Sequence, residues 1–339
     1  MRHLGYAEGS NIVLISRYVA PQPEAMEAAI RELLPQIDLL VAWGTLGGVL
    51  AKKLVPSLPV VFVSVGAPVD IGLVSSLAHP DGNMTGITFE ASSETYAKRL
   101  QMLVEIVPSL RRVAVLRAPR DPNVPFAMSS LQKSAPLLGV TLLPIDFGTE
   151  ADLPEAFAEM RRQEAEGVIS IAGNLTAVSG KRIAGLALVY SMPSCHPFRE
   201  IVAAGGLIGL GPDRAWMGRQ AATYVDKIIR GSQPADLPVQ QPDRYEVYIN
   251  LNTARALGIK MPDSILARAD EVIEYCGGAP SSRCSAARQL GRLRRAGSRR
   301  RCRWSAISMR RRPVTIPPSC RRSLKALARL ATSRARTSQ

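Results

Sequence analysis

The chain has 339 residues, enough for two lobes of ordinary size, each with its own core. Its formal charge of +15 suggests a polyanionic partner, yet 18 of the 43 Lys and Arg residues, and none of the 28 Asp and Glu, fall in residues 276–339. The other 25 basic residues share residues 1–275 with all 28 acids, so the charge belongs to a tail and no basic face is implied for the body.

Four of the five cysteines (Cys276, Cys284, Cys302 and Cys320) also lie in that tail, which leaves Cys195 alone in the body and rules out a disulfide framework there. The three histidines, His3, His79 and His196, are far apart and stand at no metal-ligand spacing, so neither a metal nor a cofactor is expected. No run approaches the roughly 18 apolar residues that cross a bilayer. The opening residues Met1 to Tyr6 do not read as a secretory signal, and on that reading the chain as written would stay in the cytoplasm.

Taken in chain order, short β-branched runs alternate with segments of helical period, the pattern of βαβ units around parallel sheets. Strands are expected over Asn11 to Tyr18, Asp38 to Trp43, Pro59 to Val65, Met84 to Phe89, Arg112 to Arg117, Thr141 to Asp146, Gly167 to Ile171, Met192 to Cys195 and Tyr245 to Leu251. Helices are expected over Glu24 to Leu34, Leu46 to Leu54, Ser92 to Val107, Pro125 to Leu138, Ala151 to Glu164, Ser179 to Tyr190, Asp213 to Arg230 and Thr253 to Leu257. Continuous apolar strands such as Pro59 to Val65 need cover on both faces. The glycine-rich stretch Gly205 to Gly211 interrupts the pattern, and Gly231 suits a left-handed residue just past a helix end.

Several strands run into small or polar residues: Gly44 and Thr45 after the second, Gly66 after the third, Asn123 beyond the fifth, Gly173 and Asn174 after the seventh. In open α/β sheets ligands settle outside the carboxyl ends of the strands, where backbone amides converge. These loops form the candidate site, although Gly, Pro and Asn also serve simply to turn a chain. Changes of pattern near Ser92 and Gly205 place lobe 1 at residues 1–90 plus 205–235 and lobe 2 at residues 91–204 plus 236–275, hinged around a cleft.

Several stretches, in order, resemble the substrate-binding proteins of bacterial ABC importers, in their tryptophan/tyrosine-type branch. They are Gly5-Tyr-Ala-Glu-Gly-Ser-Asn-Ile12, Pro59-Val-Val-Phe-Val-Ser-Val-Gly-Ala-Pro68, Gly72 to Gly86, Lys98 to Leu103, Ala203 to Leu207, Pro234 to Pro238 and Leu266 to Ile273. The resemblance implies the type I periplasmic binding protein fold, two Rossmann-like lobes, and a non-enzymatic receptor in the periplasm. Such a receptor closes on a small polar solute, such as an amino acid, and passes it to a membrane permease. Carried over by position, the cleft would use Gly44, Thr45, Ser64, Gly66, Asn123, Gly173, Asn174, Phe198 and Arg199. Arg199 would pair with a ligand carboxylate, or else stand solvated at a helix start beside Glu200; Phe198 would stack on the ligand or belong to the core.

Two departures from the family pattern stand out. Ala67 occupies a place usually held by an acid, and the family's first strand and most of its first helix are expected to be missing before Met1. The tail 276–339 is expected to be disordered and non-native. Read one nucleotide earlier, Arg301 to Pro313 can encode that first strand, and Ser323 to Gln339 can encode a copy of the motif at Gly5 to Ile12. Two rival readings remain at this point. A flavodoxin-like enzyme would show an acid, base or nucleophile cluster at the strand ends, and no such motif is found. Nucleic-acid binding would rest on the tail's arginines, with Trp304 as the tail's single aromatic; no specific nucleic acid is expected.

Overall fold

The computed structural model describes residues 1–90 and 92–274, together with the backbone of Ala306–Arg310. Two α/β lobes are stacked end to end, each built on one mainly parallel sheet. In the first, β1 (Val13–Arg17) is followed by α1 (Pro23–Leu33), β2 (Leu39–Trp43), α2 (Thr45–Leu54), β3 (Val60–Gly66) and β4 (Met84–Glu90). The second lobe runs from α3 (Glu94–Ile106) through β5 (Arg112–Arg117), α4 (Val124–Ser134), β6 (Thr141–Asp146), α5 (Leu153–Arg162) and β7 (Gly167–Ser170). It continues through α6 (Asn174–Val178), α7 (Gly180–Val189), β8 (Ser194–His196), α8 (Arg199–Ala203) and β9 (Ile208–Gly211). The chain then returns to the first lobe with α9 (Arg214–Ile229) and finishes on the second with β10 (Glu246–Asn250), α10 (Leu251–Ala256), α11 (Asp263–Leu266) and β11 (Glu271–Ile273).

The first sheet has the order β1-β12-β2-β3-β4, with β12 at Ala306–Arg310, and the second β11-β10-β9-β8-β7-β5-β6. β2, β3 and β4 run parallel and lie under cover on both faces, which is why every residue of β3 and β4 is buried. α1 and α2 cover one face of this sheet, packing Ile30, Leu33, Leu46 and Leu50 against Phe62 and Val65. α9 covers the other, with Met217, Ala221 and Val225 in the same core as Val61, Val63 and Ile87. Asp213 caps α9 by accepting a hydrogen bond from the Ala215 amide at 2.7 Å, and Gly231 follows its end at φ 111°.

The lobe boundaries differ from those expected. β9 pairs with β8 and β10, so the second sheet takes residues up to Gly211, and the return to the first lobe comes with α9 rather than at Gly205. The Gly86 carbonyl accepts from the Gln240 amide at 2.9 Å, which holds residues 239–240 to the first lobe too. β12 runs antiparallel between β1 and β2, where a disordered tail was expected. The tail's other arginines and Trp304, and the alternative-frame reading of 301–313 and 323–339, lie outside the described residues apart from that strand.

The chain crosses between lobes three times: from β4 to α3, from β9 to α9, and after Gln240. At the first two crossings sits a fully buried ion pair, Glu90 at the end of β4 with Arg99 on α3. The Arg99 Nε also donates to the Leu210 carbonyl at 2.8 Å, and its guanidinium lies 4.8 Å from the Tyr96 ring centroid and 5.8 Å from that of Phe89. A buried charge is tolerated only with such partners.

Candidate ligand-binding cleft

The carboxyl ends of both sheets face one another across a cavity of about 480 Å³, a size suited to a small metabolite. From the first lobe come the ends of β2 and β3. Gly44 lies at φ 82° between β2 and α2, where an L side chain is strained, and lets the chain turn into the helix. Thr45 follows, and its buried hydroxyl accepts from the Gly66 amide at 3.1 Å, tying the two strand ends together. Ser64 adopts φ 62° at a register shift between β3 and β4, a bulge that turns its side chain toward the cavity.

Asparagines of the second lobe rest on glycines of the first. The Asn174 amide group donates to the Trp43 carbonyl at 3.2 Å, and a Cβ on Gly44 would lie 1.8 Å from its Oδ1. Asn123 meets Gly66 in the same way: a Cβ there would be 2.3 Å from the Asn123 Oδ1. The Asn123 Nδ2 is fixed by donating to the Tyr96 hydroxyl at 2.7 Å and to the Ala172 carbonyl at 3.1 Å, while its buried Oδ1 has no partner. Gly173 makes room for a buried acid, since a Cβ would lie 2.4 Å from the Asp121 Oδ2. Burial pushes the Asp121 carboxyl up to about 6, against the opposing pull of the Asn123 and Asn174 amides.

The structure thus brings Gly44, Thr45, Ser64, Gly66, Asn123, Gly173 and Asn174 to one cavity, and Phe198 with them. Phe198 is 5 % exposed, packs at 5.3 Å on the Phe89 ring within the core, and also lines the cavity. Arg199 does not join them. At the first position of α8 its guanidinium turns to β11 and forms a two-pronged pair with Glu271, both contacts at 2.5 Å, outside the cavity lining. Of the two placements expected for Arg199, it stands at the helix start, with Glu271 as its partner.

Among the described residues, two cations line the cavity: Arg17, which is paired with Glu32, and the more buried Arg214, which the sequence reading passed over. Its side chain is 12 % exposed, its Nε is buried without a hydrogen-bond partner, and burial pulls its guanidinium below the usual value. The guanidinium carbon lies 5.0 Å from the Phe198 ring centroid and 5.7 Å from that of Trp43, so one aromatic from each lobe flanks it. One signal could have marked it: Arg214 opens a helix, where the positive end of the backbone dipole disfavours a cation. Trp43 and Phe89, also on the cavity wall, read in the sequence as ordinary strand residues.

One Ser–His contact exists elsewhere in the second lobe, with the Ser170 hydroxyl 2.9 Å from the His196 Nδ1. Both residues are wholly buried within the sheet, and burial pulls His196 down to about 3, so the ring is neutral and out of reach of a solute. The pair is a core contact.

Two α/β lobes joined by three crossings and facing one another across a cavity the size of a small metabolite have the architecture of a solute-binding protein. The sequence matches the family described as ABC transporter substrate binding protein over residues 1–273, and the chain belongs to that family. Among curated relatives, a tyrosine-binding protein of Clostridioides difficile (strain R20291) is 23 % identical over 261 residues, covering 76 % of this chain and 73 % of that protein. A conserved domain protein from Vibrio cholerae superposes with a TM-score of 0.75 at 26 % identity, over 80 % of this chain and 91 % of the other. A Streptococcus pneumonia ABC domain in complex with L-Trp superposes at 0.69 with 20 % identity, over 74 % and 86 %. The fold is that of the type I periplasmic binding proteins, and the chain is the solute-binding component of an ABC importer.

Proposed function

We propose that the protein captures a small polar solute, of the amino-acid or carboxylic-acid kind, between its lobes and presents the closed complex to a membrane permease, without chemical turnover. The observation that carries this is the meeting of both lobes at one cavity, through Asn174 at Trp43 and Asn123 at Gly66, around polar groups without partners. Family membership supports a partner in the membrane and a working place outside it. Among the described residues no helix is long and apolar enough to cross a membrane itself.

Gly44, Thr45, Ser64, Gly66, Asn123, Gly173, Asn174 and Phe198 form the binding set in this proposal, with Arg214 in place of Arg199. The test is small-angle scattering of the purified protein, titrated with a panel of amino acids and small carboxylic acids. A bound solute is expected to reduce the radius of gyration and raise the melting temperature. A panel in which no compound moves either quantity would overturn the proposal.

A further inference from the structure

The charges around the cleft do not balance. Three charged side chains lie on its described wall: Arg17, Glu200 and Arg214. Arg17 is already paired, its Nη2 2.6 Å from the Glu32 carboxylate. Glu200 stands 3.7 Å from the Arg214 Nη1, beyond hydrogen-bond reach, and its side chain is 49 % exposed against 12 % for Arg214. Water therefore screens the acid far more than the guanidinium, and the desolvated part of the wall carries a net positive charge. Ala67, in the loop after β3, adds no carboxylate.

The remaining polar groups are neutral, the hydroxyls of Thr45 and Ser64 and the amides of Asn123 and Asn174. Trp43 and Phe198 flank the Arg214 guanidinium, so a planar group with an anionic edge matches both the charge and the rings. The nearest buried carboxyl, Asp121, lies behind Gly173 and off the cavity wall, engaged by the backbone amides of Asn123 and Asn174, so an α-ammonium group entering the same space would meet only the half-exposed Glu200, and burying a poorly paired charge is costly.

Building on the reading of the cleft as a solute site, we infer that its preferred ligand is a net-anionic monocarboxylic acid with a planar ring and no α-ammonium group, with Arg214 as the counter-ion. The zwitterionic amino acid of the same shape is the weaker ligand. Arg214 and Phe198 then act together, one on the carboxylate and the other on the planar body, and Glu200 works against the acid from the cleft mouth.

Calorimetric titration with a matched series tests this: L-tryptophan, indole-3-propionate and indole-3-propionamide, with L-tyrosine and 3-(4-hydroxyphenyl)propionate as a second set. In at least one set the acid is expected to bind about 10-fold or more tighter than its amino acid, and the amide to be weakest. Arg214→Met is expected to lose about 100-fold in acid affinity, and Glu200→Gln to gain about 2-fold, through loss of the attraction and of the repulsion respectively. Arg199→Met is the control and leaves affinity unchanged. Circular dichroism and the melting temperature establish that each variant is folded.

If the amino acids bind more tightly than the acids and Glu200→Gln weakens them, Glu200 takes the ammonium; the inference then falls while the cleft reading stands. Acid binding that survives Arg214→Met also overturns the inference alone. A wild-type protein that binds none of the probes overturns this inference; failure of the wider solute panel in scattering would overturn the cleft reading as well.

Discussion

The molecule holds two buried guanidiniums in contrasting surroundings, one at the crossings between lobes and one in the cleft. Arg99 has an ion-pair partner in Glu90, a hydrogen bond to the Leu210 carbonyl and two aromatic rings, and is wholly out of solvent. Arg214 has the rings but no partner for its Nε. The first spends its charge on holding the lobes' connections in place, and the second keeps its charge available. The difference teaches that a buried cation contributes to stability when satisfied within the fold and to binding when it is not.

The sharpest way to break this comparison is to remove each arginine in turn. Arg99→Met leaves Glu90 buried and alone, and is expected to cost about 3–5 kcal/mol of unfolding free energy, read from a denaturant melt. Arg214→Met removes a charge whose ion pair with the half-exposed Glu200 spans 3.7 Å, and is expected to change stability by no more than about 1 kcal/mol, in either direction. Equal losses in the two melts would erase the distinction.

Gly66→Ala addresses the walls between these arginines. Its Cβ would enter the space of the Asn123 side chain, which the Tyr96 hydroxyl and the Ala172 carbonyl hold in place. The lobes are expected to stand further apart in scattering, with solute affinity lowered about 10-fold or more. An unchanged radius of gyration would show that Asn123 yields instead.

Asp121 supplies a pH dependence of opposite sign to that of a paired acid. Burial pushes its carboxyl up to about 6 in the folded protein from the usual 3.8, so at this site the folded state holds its proton more tightly. The contribution is fully present below about pH 4 and is lost as pH rises through about 6. Asp121→Asn is expected to stabilise the protein at pH 7 by about 1–2 kcal/mol and to flatten the stability curve between those values. A curve of unchanged slope would contradict this. The smallest effect belongs to Arg199→Ala, whose half-exposed pair with Glu271 is worth about 1 kcal/mol or less in the same melt.

Most of the strand order was legible because β-branched runs such as Val60–Gly66 have few other uses. β9 was not. Gly206, Gly209 and Gly211 hid it, and the structure explains their presence: a Cβ at Gly209 would lie 3.0 Å from the His196 carbonyl, and one at Gly211 2.0 Å from that of Pro197. A strand that must lie this close to its neighbour gives up the side chains that betray a strand. That omission also misplaced the return to the first lobe.

The cleft was partly legible, through glycines and asparagines at strand ends, because turns of that composition recur where ligands settle. Its charge was not. Arg199 and Arg214 both open helices, and sequence spacing does not reveal that Glu271, distant in the chain, claims the first while no carboxylate within hydrogen-bond reach claims the second.

Arg214 lies three residues beyond the end of β9, on the very segment by which the chain passes back to the first lobe. A solute that touches it therefore touches the pivot. Any coupling between capture and closure then needs no relay through the body of either lobe, because contact with the solute is made at a crossing between them. The rate at which the receptor releases its load should accordingly follow the chemistry at this one side chain, and a permease that prises the lobes apart would be working directly against it.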